Sequence, residues 1–99
     1  MNKGDLISKI ADKTDLSKAQ ASDALNAVLD SITDALKEGD KVTLIGFGTF
    51  SPSLRKERQG RNPQSGATIT IPAKVSAKFK QGKELGDAVD TAELIKKLS

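Results

Sequence analysis

The sequence predicts an α+β fold, and three observations predict it. Apolar residues recur at helical spacing through the first 38 residues, the pattern switches to β-rich alternation after Gly39, and a cationic stretch poor in apolar side chains follows before a short helical segment closes the domain. The expected order is an N-terminal helical hairpin, a three-stranded antiparallel sheet extended by a long β-ribbon arm, and a short C-terminal helix.

Asn2 stands where a helix cap belongs, with Asp5 three residues on, and Leu6, Ile7, Ile10 and Ala11 share one face. Ser17 and Gln20 have capping-box spacing at the start of the second helix. Ala21, Ala24, Leu25, Val28, Leu29, Ile32, Ala35 and Leu36 then repeat at helical intervals until Gly39, a good terminator. Helices are therefore expected over 3–13 and 18–38.

In "KVTLIGFGTF" a first strand over about 41–45 leads into a tight turn at Phe47, bracketed by Gly46 and Gly48, and a second strand begins near 48. Beyond Ser53 the apolar content collapses: prolines apart, Leu54, Ala67, Ile69, Ile71 and Ala73 are the apolar residues before Lys74. "TITI" still alternates as a strand would, and "GRNPQSG" reads as the turn between two extended arms. "KVSAKFK" brings Val75 and Phe79 back to a core, and Gly82 leads into a helix over about 83–89. In "DTAELIKKLS", Asp90 or Thr91 is placed to cap a last short helix, with Glu93 early and Lys96 and Lys97 late, as the helix dipole favours.

Composition narrows the chemistry. The chain has 99 residues, no Cys and no His, so disulfides, thiolate metal sites and the usual neutral-pH proton shuttle are absent. No Walker-type loop is present and the acids are scattered along helices, so neither an enzyme nor a cofactor is expected. No apolar run approaches the roughly 20 residues that span a bilayer, and the N-terminus lacks a signal-peptide pattern.

Charge is segregated. Residues 1–52 carry a balance of −2, residues 53–83 of +7 with Glu57 their single acid, and residues 84–99 of −2. A basic middle between acidic ends points to an anion-binding surface, although charge runs also serve simply to solvate a surface. Arg55, Lys56, Arg58 and Arg61 fall within seven residues, and Lys74, Lys78, Lys80 and Lys83 form a second set at and beyond the base of the arm. Guanidinium groups grip phosphate in a bidentate way, so the fitting ligand is a polyanion. By period-2 counting Arg55 shares a face with Arg61 and Lys56 with Arg58, which puts charge on both sides of the ribbon. Pro63, after Asn62 at the tip, reads either as a turn proline that presets φ or as an apolar wedge between stacked bases, and Asn62 beside it is a candidate DNA contact. Helix 2 has a wide apolar arc and three Phe remain to be buried, which a symmetric dimer solves by pooling two half-cores; the alternative is a monomer with helix 2 partly exposed.

"MNKGDLI", "GDKVTLIGFGTF", "GRNPQSG" and "FKQGKELGDAV" together resemble the bacterial HU / integration host factor family of histone-like DNA-bending proteins, HU most closely, in register over about residues 1–90. The resemblance implies an intertwined homodimer (a heterodimer fits the pattern equally well) whose two arms embrace double-stranded DNA through the minor groove. It implies a DNA-binding domain over 1–90, with a body of 1–52 and 76–90 and an arm of 53–75, followed by an extension at 91–99. Pro63 matches the family's intercalating proline, Arg55, Arg58 and Arg61 its arm cations, Lys3 and Lys83 its body cations, and Phe47, Phe50 and Phe79 the aromatic cluster of its dimer core. It further implies bending and compaction of DNA without sequence specificity, a preference for bent, nicked or flexible sites, and a cytoplasmic, nucleoid-associated location, with no membrane or small-molecule partner. A site-specific bending factor of the integration host factor type and a basic RNA- or protein-interaction module are the alternative functions. Three departures stand out: Gly86 where the family commonly has Lys or Arg, no proline just before Phe79, and the tail from Thr91 to Ser99.

Overall fold

The computed structural model describes residues 1–99, which divide into two units, Met1–Ala35 and Leu36–Ser99.

The first unit is helical. α1 (Lys3–Thr14) begins with a reciprocal capping box: the Asn2 side chain accepts from the Asp5 N–H at 2.9 Å, and the Asp5 carboxylate accepts from the Asn2 N–H at 3.1 Å. The Thr14 hydroxyl donates to the Ile10 carbonyl at 2.6 Å, and the helix runs one residue past its expected end before Asp15 turns left-handed at φ 59°. α2 (Lys18–Lys37) opens with the second capping box, Gln20 N–H to Ser17 Oγ at 3.1 Å and Ser17 N–H to Gln20 Oε1 at 3.0 Å. Ala11 and Ala21 are the only buried apolar residues, whereas Leu6, Leu16, Val28 and Leu29 are exposed.

α2 ends one residue short of the expected 38, because Gly39, at φ +85°, folds its N–H back onto the Leu36 carbonyl at 3.0 Å. The second unit is built on an antiparallel sheet of β1 (Val42–Leu44), β2 (Gly48–Arg55) and β5 (Lys74–Gln81), in the order β1-β2-β5. β1 is shorter than the expected 41–45, because Ile45 already belongs to the turn that closes through the Phe47 N–H on the Leu44 carbonyl at 2.9 Å. Gly46 takes φ +86° there. Gly48 answers to a different constraint: a Cβ on it would lie 2.5 Å from Phe79 Cζ and 2.6 Å from the Lys80 carbonyl oxygen, so only glycine lets β5 and its Phe ring cross at this point.

A second ladder pairs β3 (Arg58–Arg61) with β4 (Thr68–Ile71). The sequence predicts one long ribbon; the structure has two ladders separated by two residues on each strand, Lys56–Glu57 and Pro72–Ala73. Pro72 has no N–H to donate, which accounts for the interruption. Arg55↔Lys74 ends one ladder and Arg58↔Ile71 begins the other, so the gap is equal on both sides and the register does not slip. The β2–β5 ladder runs out to Arg55 and Lys74.

α3 (Lys83–Val89) follows Gly82, whose N–H bonds to the Phe47 carbonyl at 2.8 Å. α4 (Ala92–Leu98) forms in the tail, and of the two candidate caps Thr91 is used, its Oγ1 accepting from the Leu94 N–H at 3.2 Å. No helix is long and apolar enough to cross a membrane.

Candidate nucleic-acid interface

Side chains alternate across a strand, and directly opposed antiparallel residues share a face. The register therefore sorts the sheet completely. One face carries Val42, Leu44, Gly48, Phe50, Pro52, Leu54, Val75, Ala77, Phe79 and, at its edge, Gln81. The other carries Thr43, Thr49, Ser51, Ser53 and Arg55 opposite Lys80, Lys78, Ser76 and Lys74. No apolar side chain interrupts this polar face, and no acid lies on it.

The three Phe residues expected to cluster do so. Phe50 and Phe79 are direct cross-strand partners with ring centroids 4.8 Å apart, and Phe47 lies 5.4 Å from Phe79. Both contacts are tilted, the arrangement that ring quadrupoles favour. Yet Phe47 remains 46% exposed and Phe79 42%, so the cluster has only half its cover within one chain.

The cationic face has the opposite character. Arg55 stands directly opposite Lys74, a like-charge pair that costs stability in an isolated sheet. The only ion pair in the chain is Lys83–Asp87, at 3.7 Å on α3. Arg55, Lys56, Arg58, Arg61, Lys74, Lys78 and Lys80 therefore present seven positive charges without an acidic partner. Lys3 occupies the first position of α1 in the helical unit and is also exposed.

Beyond the gap the alternation continues. Arg58 shares a face with Gly60, Ile69 and Ile71, while Arg61 shares the other with Gln59, Thr68 and Thr70, so the ribbon bears charge on both sides as the residue spacing predicts. Gly60 leaves room for Ile71: a Cβ there would meet Ile71 Cδ1 at 3.0 Å.

The tip is a closed loop. The Asn62 N–H bonds to the Ala67 carbonyl at 2.8 Å and the Gly66 N–H to the Asn62 carbonyl at 2.8 Å, with Gly66 at φ +72°. The Asn62 side chain accepts from the Gln64 N–H at 2.9 Å, a turn that wraps around Pro63 and leaves that ring exposed. Asn62 thus shapes the apex, a part that its neighbours in sequence do not reveal.

The sequence puts Lys74, Lys78 and Lys80 near the arm's base; that they and Arg55 share one face with Ser51, Ser53, Ser76 and Thr49 shows only in the register. The signal was present in the matched alternations "TFSPSLR" and "KVSAKFKQ", and reading it requires the pairing register.

The comparisons agree with this geometry. The family model described as "Bacterial DNA-binding protein" matches residues 1–90. DNA-binding protein HU-alpha of Vibrio proteolyticus is 61% identical over 89 residues, covering 90% of this chain and 99% of that protein. DNA-binding protein HU-1 of Halalkalibacterium halodurans is 56% identical over 90 residues, covering 91% of this chain and all of that protein. Among solved structures, the Anabaena HU–DNA cocrystal structure superposes with a TM-score of 0.83 at 43% identity, over 91% of this chain and 98% of that one. With its two-faced sheet, cationic ribbon and family match over residues 1–90, this chain belongs to the HU family of bacterial DNA-binding proteins.

Proposed function

We propose that the chain is a non-enzymatic architectural protein that binds double-stranded DNA without sequence specificity and bends it, acting as a symmetric dimer in the bacterial nucleoid. The observation that carries this reading is the unbroken polar face of the β2–β5 ladder, continued in register by a cationic ribbon that ends on an exposed proline.

Exposure supports the dimeric reading. The single chain exposes 8281 Å², whereas surface–mass scaling gives about 5400 Å² for a folded monomer of its 10.5 kDa. The same scaling gives about 9000 Å² for a dimer, a burial of about 3800 Å² per chain. Over two chains that is about 7600 Å², more than most obligate interfaces bury, and part of the excess is the extended arm, which a scaling for compact proteins does not describe. The half-covered Phe cluster and the exposed Val28 and Leu29 of α2 are the surface such a dimer would bury.

In the proposed mode each arm lies in the minor groove, a binding mode for which HU and its relatives are themselves standard examples. Pro63 inserts its ring between base pairs. Arg55, Lys56, Arg58 and Arg61 neutralise phosphates along the groove. Bending then carries the flanking duplex towards Lys74, Lys78, Lys80 and Lys83 and the body cation Lys3. Each unstacked step costs a few kcal/mol, and the added phosphate contacts offset it. Nicked or flexible DNA binds better because less deformation work remains. Sequence preference is weak: the minor-groove code is degenerate, and Gln59, Asn62 and Gln64 are the arm's only amide side chains. Asn62, moreover, spends its carbonyl oxygen on the tip turn.

The test is end-to-end fluorescence transfer on a labelled duplex. Bending is expected on intact DNA, tighter binding on nicked DNA of equal length, and a loss of bend in Pro63→Ala that exceeds its loss of affinity. Equal affinity for nicked and intact duplex, or an unchanged bend in Pro63→Ala, would overturn the wedge.

A further inference from the structure

β2 and β5 carry serine at two positions that the register sets directly opposite each other, Ser53 and Ser76. Opposed side chains stand about 4.5–5.5 Å apart at Cβ. Rungs of one face recur at every second residue, about 6.8 Å along the strand. One rung outward is the Arg55–Lys74 pair, and one rung inward Ser51 faces Lys78. The two hydroxyls therefore lie between cations on both sides. Ser53, Arg55, Ser76 and Lys78 line a single recess of about 100 Å³, with Leu54 completing its wall.

Nothing in the chain satisfies these groups. Neither hydroxyl takes part in an intramolecular hydrogen bond. The one ion pair, Lys83–Asp87, is on α3, and no acid stands on this face. Two hydroxyl donors, a guanidinium fork and an ammonium group together match the oxygens of a phosphate. An anion seated there also relieves the opposition of Arg55 and Lys74, two like charges on one rung. The recess adjoins the base of the cationic arm, so a duplex held by that arm is the nearest source of phosphate. We propose that Ser53 and Ser76, flanked by Arg55 and Lys78, form a cradle for a backbone phosphate of the bound duplex. The neutral hydroxyls then add affinity that releases no counterion. This inference rests on the DNA-binding reading above.

The experiment measures duplex binding against salt for the full chain and three double variants, Ser53→Ala/Ser76→Ala, Ser53→Thr/Ser76→Thr and Arg55→Gln/Lys78→Gln. The alanine pair is expected to lower affinity at least about fivefold at every salt concentration, with the wild-type salt slope. The threonine pair keeps both hydroxyls and is expected to bind within about twofold of wild type. The glutamine pair is expected to lose affinity and to flatten the slope by about 0.9 for each lost contact. Undiminished affinity in the alanine pair, with the wild type still binding, would overturn the cradle and leave the DNA-binding reading intact. An equal loss in the threonine pair would overturn it too, by assigning the effect to the strand rather than to the hydroxyls. Amide shifts at residues 53 and 76 separate the phosphate sources at constant ionic strength. They should saturate with duplex in the micromolar range and with inorganic phosphate only in the millimolar range. Saturation by micromolar inorganic phosphate would overturn the assignment to DNA in favour of a free anion. A wild-type chain that binds no duplex would instead overturn the DNA-binding reading itself.

Discussion

The β2–β5 and β3–β4 ladders are two stretches of one ribbon in one register, yet their stabilities have different origins. The body ladder runs for eight pairs and is backed on one face by Phe50, Phe79, Val75 and Leu54. The arm ladder has four pairs, and its apolar content is Ile69 and Ile71, with the small Gly60 opposite Ile69. An isolated two-stranded ribbon is marginal in water. The body ladder therefore carries an apolar face that the proposed dimer would cover, whereas the arm is left to draw on a ligand that neutralises its cations. Where a sheet's own chain supplies no cover, exposure of strands and charge is a functional feature rather than a defect of packing.

The largest expected break in this contrast is Phe79→Ala. It removes the ring that touches both Phe47 and Phe50; with its exposed side covered in the proposed dimer, truncation of that Phe costs about 3–5 kcal/mol. Thermal unfolding should move down sharply and the dimer should weaken. A midpoint within a few degrees of wild type would show that the cluster is not the core.

Arg58→Ala/Arg61→Ala tests the other side. Exposed substitutions of this kind alter stability by about 0.5 kcal/mol or less, so the melting temperature should hold. Duplex affinity should fall uniformly across sequences. Each lost phosphate contact should reduce the salt slope by about 0.9, so loss at both sites in both arms should reduce it by about 3.6. A fall confined to particular sequences would instead imply base readout.

A subtler change addresses the gap itself. Pro72→Val supplies the missing N–H and a β-branched side chain, and Glu57 stands at the matching position on the other strand. Amide protection should spread across residues 56–57 and 72–73, joining the two ladders, with a stability gain of about 1 kcal/mol or less. No change in protection there would mean that something other than the proline interrupts the ribbon.

The smallest expected effect belongs to Asp87→Asn. It frees Lys83 from its i,i+4 partner, a pair 91% and 70% exposed at its two ends, and such pairs contribute about 0.3–0.5 kcal/mol. Duplex binding should tighten at most about twofold at low salt and be unchanged at high salt. A loss of affinity would show that Asp87 supports the interface rather than competing with phosphate for Lys83.

Much of this was legible in the sequence because much of it is local. Both capping boxes, the Gly39 stop, the Phe47 turn and the Thr91 cap rest on residues within four positions of one another, so spacing alone reports them. The cationic arm and its tip were legible from composition, since so little else in that stretch could pack. What escaped was pairwise. That Arg55, Lys74, Lys78 and Lys80 share a face follows from register, which depends on which strand meets which. The gap at Pro72 needed the same knowledge, because a proline interrupts a ladder only where its N–H would have donated. The Lys83–Asp87 pair lay within reach of i,i+4 counting and went unread.

The central claim is that the arm owes its order to DNA while the body sheet owes its order to burial in the proposed dimer. Amide hydrogen exchange on the protein alone and on its complex with a short nicked duplex tests this directly. Residues 74–81 are expected to be protected in both states, and residues 58–61 and 68–71 to exchange freely without DNA and slowly with it. Arm amides equally protected in the absence of DNA would contradict it.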